Sequence, residues 1–201
     1  ATVTKTETNS YTVSIGSGQP LVVGAKAFDL AATQSPTDLA RVEVGYATAS
    51  SINILSSAAL SGGELGGLLD FRTNSLDRAQ NSLGRIAIGF ASTFNAQHAL
   101  GRDSDNVAGA AFFQQADAQV TKDITGAVPS SSALTASIVD AGALTTSDYK
   151  VSFDGGAYKV LRLSDQKPFA ISPGVPLTID GVEFTLYGTG GAGDTFLVKP
   201  T

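Results

Sequence analysis

The chain contains no cysteine, no methionine and no tryptophan, and has a single histidine, His98. Without cysteine there can be no disulfide framework, no thiolate nucleophile and no cysteine metal site. One histidine rules out a histidine-rich metal centre. A chain without methionine cannot begin at its own initiator, so we expect a processed product or an excised fragment of a longer protein. No apolar run approaches the ~20 residues that a membrane helix needs. No basic-plus-apolar segment at the start reads as a signal peptide. Charged residues make up only 15%, and the net charge is −5. That balance disfavours nucleic acid and anionic membrane surfaces as partners, because both attract Lys- and Arg-rich faces.

What is present is apolar and periodic. Hydrophobic residues make up 42% of the 201 positions, enough for packed cores and too many for a disordered tail. Tyr11, Val13 and Ile15 alternate with Thr12 and Ser14, the period of a half-buried strand. Gly16-Ser17-Gly18-Gln19 then turns the chain into Pro20-Leu21-Val22-Val23, predicting a hairpin. Ala27–Ala32 and Leu39–Tyr46 read as a second strand pair, and Ile52–Ile54 as a short fifth strand.

The period changes at Ser61-Gly62-Gly63-Glu64. Leu65, Leu69, Leu76, Ala79, Leu83, Ile86, Phe90 and Phe94 recur in mixed steps of three, four and seven, and Leu69, Leu76, Leu83 and Phe90 recur every seventh position. This predicts one long amphipathic helix over 61–101 with a stripe close to coiled-coil type. Ser61 is the expected N-cap, with Glu64 at capping-box spacing, and Gly101 the expected stop. At 1.5 Å per residue, the helical stretch from about 64 to 99 runs roughly 50 Å. Gly84 and Gly89 lie inside it, each costing ~1 kcal/mol relative to alanine. A tolerated kink would account for either alone; two beside one stripe favour close approach of a neighbouring backbone. The hairpins can cover only part of this helix. The seam residues Leu65, Leu69, Leu76, Leu83, Ile86, Phe90 and Phe94 are therefore expected to pack on helices outside this chain.

Residues 102–132 read as a loop or linker, with Asp103, Asp105, Asn106, Gly109, Phe112-Phe113 and the Pro129-Ser130-Ser131-Ser132 run. Strand signals return at Thr135–Val139, Tyr149–Phe153, Tyr158–Leu163, Leu177–Ile179, Val182–Leu186 and Thr195–Val198, with Asp154-Gly155 and Asp180-Gly181 as two-residue hairpin turns. The predicted fold is α+β and mainly β. It comprises a hairpin region over 1–60, the helix of a bundle-like rod domain over 61–101, the linker 102–132, and an outer antiparallel sandwich or barrel-like domain over 133–201.

No chemistry is signalled. Gly188-Thr189-Gly190-Gly191-Ala192-Gly193 has the spacing of a dinucleotide loop, but that loop needs a helix to follow it, and Asp194 leads into a strand. A hairpin loop is expected instead. Asp103-Ser104-Asp105-Asn106 resembles the start of a calcium loop, yet Val107 and Ala108 stand where an oxygen ligand and a glycine belong. His98 in the last helical turn interacts favourably with the negative helix end, which accounts for it without catalysis. No catalytic residue, metal site or cofactor is expected. An extracellular glycan-binding or adhesive β module is the alternative, and would cluster Tyr149, Tyr158 and Tyr187 on one exposed face. An enzyme would need a concave pocket of convergent polar groups.

The segment Gly63-Glu64-Leu65-Gly66-Gly67-Leu68-Leu69-Asp70-Phe71-Arg72, followed by Leu76-Asp77 and Leu83-Gly84-Arg85, resembles the flagellar hook-associated protein 1 family. So do Phe94-Asn95-Ala96-Gln97-His98, Gly101-Arg102-Asp103, Gly18-Gln19-Pro20-Leu21-Val22 and the closing Gly193-Asp194-Thr195-Phe196-Leu197-Val198-Lys199-Pro200-Thr201. Asp103-Ser104-Asp105-Asn106 departs from the glycine-bearing loop of that family. The resemblance implies a structural, non-enzymatic subunit of the extracellular bacterial flagellum at the junction of hook and filament. It also implies self-assembly into a ring and contact with neighbouring hook and junction proteins. The terminal helices that make most of the family's axial contacts would lie outside this chain.

Overall fold

The computed structural model describes residues 1–5, 10–49, 51–123 and 130–201. The chain divides into two compact units, Ala1–Asp77 and Arg78–Thr201.

In the first unit, β1 (Thr2–Lys5), β2 (Tyr11–Ile15), β3 (Gln19–Val23) and β4 (Lys26–Ala27) form an antiparallel sheet in sequence order. The expected hairpin is present as β2–β3. β5 (Leu30–Gln34), β6 (Val42–Ala47) and β7 (Ile52–Ile54) form a second antiparallel sheet, also in sequence order. Tyr46 ties the two sheets together, its hydroxyl donating to the Pro20 carbonyl at 2.8 Å. A 3-10 turn over Ser57–Leu60 precedes α1 (Gly63–Phe71), and a π turn over Arg72–Leu76 follows it. Among the described residues, Leu60 and Leu69 are the buried apolar side chains here, so this core is small.

Two helix expectations are corrected. Ser61 ends the 3-10 turn in an extended conformation, and the N-cap of α1 is Gly62, which makes no side-chain capping bond. Gly62 and Gly63 both take positive φ (83° and 67°), a reversal between the two helical pieces that glycine alone makes at little cost. The helix is also interrupted. A π turn takes more residues than an α turn. A seven-residue step drawn through it from Leu69 to Leu76 therefore does not stay on one face.

In the second unit, α2 (Asp77–Ala99, counted here from Arg78) is joined by β8 (Gln119–Lys122), β9 (Ala133–Ile138), β10 (Tyr149–Phe153), β11 (Tyr158–Arg162), β12 (Lys167–Ile171), β13 (Leu177–Ile179), β14 (Val182–Tyr187) and β15 (Thr195–Lys199). Five strands make one sheet in the order β12-β11-β10-β15-β8, and three make another in the order β13-β14-β9, every pair antiparallel. Alternate residues face a common core, in which Val151, Val160, Val182, Phe184, Leu186 and Val198 have no exposed surface. Burial of each such side chain stabilises the fold by ~1.5–3 kcal/mol relative to exposure. This α+β, mainly β architecture is the expected fold class.

The expected strand Ala27–Ala32 is split, its start in β4, which pairs with β3, and its end in β5, which pairs with β6, and three further strands went unread. β1 is fully exposed along its length and carries no burial pattern. β12 contains Pro168, which argues against a strand interior but is tolerated at a sheet edge, where β12 lies. β8 falls inside the expected linker 102–132, where it pairs with β15. The part of that linker at 124–129 lies outside the described residues. Asp180-Gly181 is a two-residue turn with both φ positive, as expected. Asp154-Gly155 is not. Phe153 pairs with Tyr158, so the loop has two further residues, and the Asp154 carboxylate closes it by accepting from the Gly156 and Ala157 amides at 3.0 and 2.9 Å.

Candidate assembly surface

α2 presents two opposite faces, and the polar one faces inward. Asn81, only 8% exposed, donates through Nδ2 to the Thr146 carbonyl and to Asp148 Oδ1, both at 3.0 Å. One turn on, Arg85 Nη1 donates to the Leu144 carbonyl at 3.4 Å. Gly84 lies against Thr201, and Ile88 packs against the sandwich core. At about 100° per residue, Asn81, Arg85, Ile88 and Asn95 fall within one quadrant of the helix.

The apolar stripe occupies the other side. Leu83, Ile86 and Phe90 are 69%, 66% and 61% exposed, and Phe94 is 38% exposed. By the same rotation their centre lies roughly opposite that of the Asn81 face. The helix is thus amphipathic in the reverse of the usual sense for an isolated domain, with Asn81 buried and paired on its inward side and Leu83, Ile86 and Phe90 largely exposed on the other. In the first unit, Leu65 and Leu76 are likewise exposed, whereas Leu69 is buried within that unit. Leu68 and Phe71, not assigned to the seam from the sequence, are exposed there as well.

Asn95 and His98 fix a loop at the C-terminal end of α2. Asn95 Oδ1 accepts from the amides of Phe112 and Phe113, and its Nδ2 donates to the Phe113 carbonyl, all at 2.8 Å. His98 Nδ1 lies 2.7 Å from the Ala110 carbonyl, a partner that requires a proton on that nitrogen. The docked loop brings Phe113 to 5.7 Å from Phe90 and 5.1 Å from Phe94, and Phe112 to 5.4 Å from Phe94, measured between ring centroids. Phe112 remains 64% exposed, which extends the apolar surface beyond the helix. The two consecutive aromatics were its only signal in the sequence.

The remaining candidates have structural explanations. Asp103 Oδ1 accepts from the Asp105 and Val107 amides at 2.9 and 2.8 Å, so this carboxylate organises a turn. The glycine-rich segment 188–193 is not a hairpin loop, because β14 and β15 belong to different sheets. Its glycines admit close packing: a β-carbon on Gly190 would stand 2.6 Å from the Tyr158 hydroxyl. Tyr149 and Tyr158 are buried in the core and only Tyr187 is exposed, so the aromatic face of a glycan-binding module is not assembled. A groove in the first unit is lined in part by Ser57, Ser61, Gly67, Asp70 and Asn74, and its carboxylate, Asp70, already accepts from Asn74 Nδ2 at 2.6 Å.

Comparison with known proteins gives a consistent picture. A family model described as the flagellar hook-associated protein FlgK helical domain matches residues 1–113, and one described as a flagellar hook-associated protein 1 D2-like domain matches 124–200. Flagellar hook-associated protein 1 of Escherichia coli K12 is 38% identical over 197 residues, covering 95% of this chain and 35% of the relative. The protein of that name from Salmonella typhimurium LT2 is 38% identical over 195 residues, with the same coverage of each chain. Among solved structures, the flagellar hook junction protein FlgK from Burkholderia pseudomallei superposes with a TM-score of 0.87 at 36% identity, covering all of this chain and 38% of that one. The chain spans about a third of the length of the curated relatives it matches.

Proposed function

The chain belongs to the flagellar hook-associated protein 1 family, and from that footing we propose that it is part of a structural subunit that self-assembles at the hook–filament junction of the bacterial flagellum. It would work outside the cell, joining hook to filament through protein contacts and performing no catalysis. The observation that carries this reading is the reversed amphipathicity of α2. Burying the surface that Leu83, Ile86, Phe90 and Phe94 still expose would contribute on the order of 4–7 kcal/mol before the cost of ordering, a driving force left unused in this chain alone.

The seam is assigned to Leu65, Leu76, Leu83, Ile86, Phe90 and Phe94, packed against helices of the same subunit or its neighbours in a ring. Leu69 leaves this set because its side chain is already buried. In this arrangement the helical segment 61–101 belongs to the packed interior of the assembly, and the β domain from 133 onward faces outward.

The test uses the intact protein carrying Leu83→Asp or Phe90→Asp. Both side chains are solvent-facing here, so the 1–201 chain should keep its circular dichroism and its unfolding midpoint. Junction assembly by the intact variants should be lost. Normal assembly by both would remove the stripe from the interface.

A further inference from the structure

The two sheets of the second unit are tied at each end by one aspartate. At one end Asp180, in the turn between β13 and β14, accepts from Arg162 Nη1 at 2.9 and 2.8 Å and from the Tyr149 hydroxyl at 2.7 Å. At the other end Asp194, 4% exposed, accepts from Ser132 Oγ at 2.6 Å, Ser130 Oγ at 2.7 Å, the Gly191 amide at 3.0 Å and the Tyr158 hydroxyl at 3.2 Å. Lys122 Nζ stands 3.7 Å from its Oδ1 and donates to both serine hydroxyls.

The placement of these donors follows the topology. Lys122 is the last residue of β8, Ser132 immediately precedes β9, and Asp194 immediately precedes β15. The chain passes between the sheets twice at this end, from β8 to β9 and from β14 to β15. Both passages are bonded to the same carboxylate.

We propose that Asp194 is a proton-sensitive clasp: ionised, it holds both crossovers shut, and once neutralised it lets residues 130–132 and 188–193 open together while the Asp180 end stays closed. The chemistry is that of an acceptor surrounded by donors. A carboxylate offers about four lone-pair sites and no proton, which suits two hydroxyls, an amide and a phenol. A neutral carboxyl or carboxamide turns one of its two groups into a donor that faces other donors. The charged group facing Asp194 is Lys122 from β8, and the titratable one is Tyr158 from β11. Burial pushes the Asp194 carboxyl up, but Ser130, Ser132, the Gly191 amide and the Lys122 charge outweigh it and bring it down to about 2. At neutral pH the clasp is therefore closed, and Asp194→Asn imitates its open form.

Amide hydrogen exchange on the 1–201 chain at pH 7 tests this. Asp194→Asn should speed exchange at least tenfold in segments 130–132 and 188–193, leaving 177–182 at the wild-type rate. Asp180→Asn should do the reverse. Unchanged exchange at either crossover, or uniform acceleration across both sheets, overturns the proposal. If Asp194→Asn does not fold, Ser132→Ala removes one donor and keeps the charge. It should then give a smaller acceleration in the same two segments, and acceleration elsewhere or none at all overturns the proposal equally.

Discussion

The backbone of Thr201 lies so close to Gly84 that a β-carbon on Gly84 would stand 2.6 Å from the Thr201 Cβ and 3.1 Å from its carbonyl carbon. Close approach of a neighbouring backbone, expected from two glycines beside one stripe, is thus met at Gly84 from within the same unit. Gly89 differs, since a β-carbon there would meet nothing within 4 Å. The two positions should therefore respond oppositely to alanine. Gly84→Ala adds a clash costing ~1–3 kcal/mol, only partly offset by the ~1 kcal/mol gain in helix propensity. Gly89→Ala keeps that gain and should stabilise the chain by up to ~1 kcal/mol. Urea unfolding of the two variants measures both, and stabilisation by Gly84→Ala would contradict the packing.

Asn95 should matter more than its partial exposure suggests. Its carboxamide makes three bonds to the backbone of Phe112 and Phe113, and a truncation leaves two amides and a carbonyl without that partner. Asn95→Ala should cost ~2 kcal/mol, taking ~1 kcal/mol for each bond and allowing for water to replace part of the loss. Asn95→Asp keeps the acceptor for both amides and loses only the bond to the Phe113 carbonyl, so its loss should be smaller. Exchange at the amides of Phe112 and Phe113 separates the two. If the alanine variant protects them as well as wild type does, the clamp is not what holds the loop.

The sequence announced the apolar stripe of α2 but not which way it faces. A stripe at helical spacing ordinarily marks the side turned to the core, and here Asn81, Arg85 and Asn95 take that side through side-chain bonds to loops 18 to 67 residues away. No local pattern encodes such distant partners. Leu69 was misplaced for a different reason: the sevenfold repeat runs unbroken through 72–76 in the sequence, whereas the backbone inserts a π turn. The hairpin at Asp180-Gly181 was legible because the turn chemistry is contained in two residues. Asp194 was not, because Ser130, Ser132 and Tyr158 lie 64, 62 and 36 residues from it.

Asp194 also sets an expectation for acid stability. Its carboxyl is near 3.9 in an unfolded chain and held at about 2 in the folded one. A depressed folded value means that the unfolded state takes up the proton first as pH falls. The stabilising contribution is thus complete above about pH 5 and is lost between there and about pH 2. The shift corresponds to about 2–3 kcal/mol for this buried side chain, at 1.36 kcal/mol per pH unit, most of it lost by pH 2. Asp194→Asn removes the titration together with the charge. Wild type should accordingly be more stable than the variant at pH 7, with the gap narrowing by about 2 kcal/mol as both are acidified towards pH 2. Asp154 and Asp165 are also held low, by Lys159 and by Arg162, but both are well exposed and present equally in the two proteins, so their titrations cancel in the comparison. Denaturant midpoints measured across this range give the difference directly. A gap that stays constant from pH 7 to pH 2 would mean that the ionised carboxylate is not what secures the two crossovers.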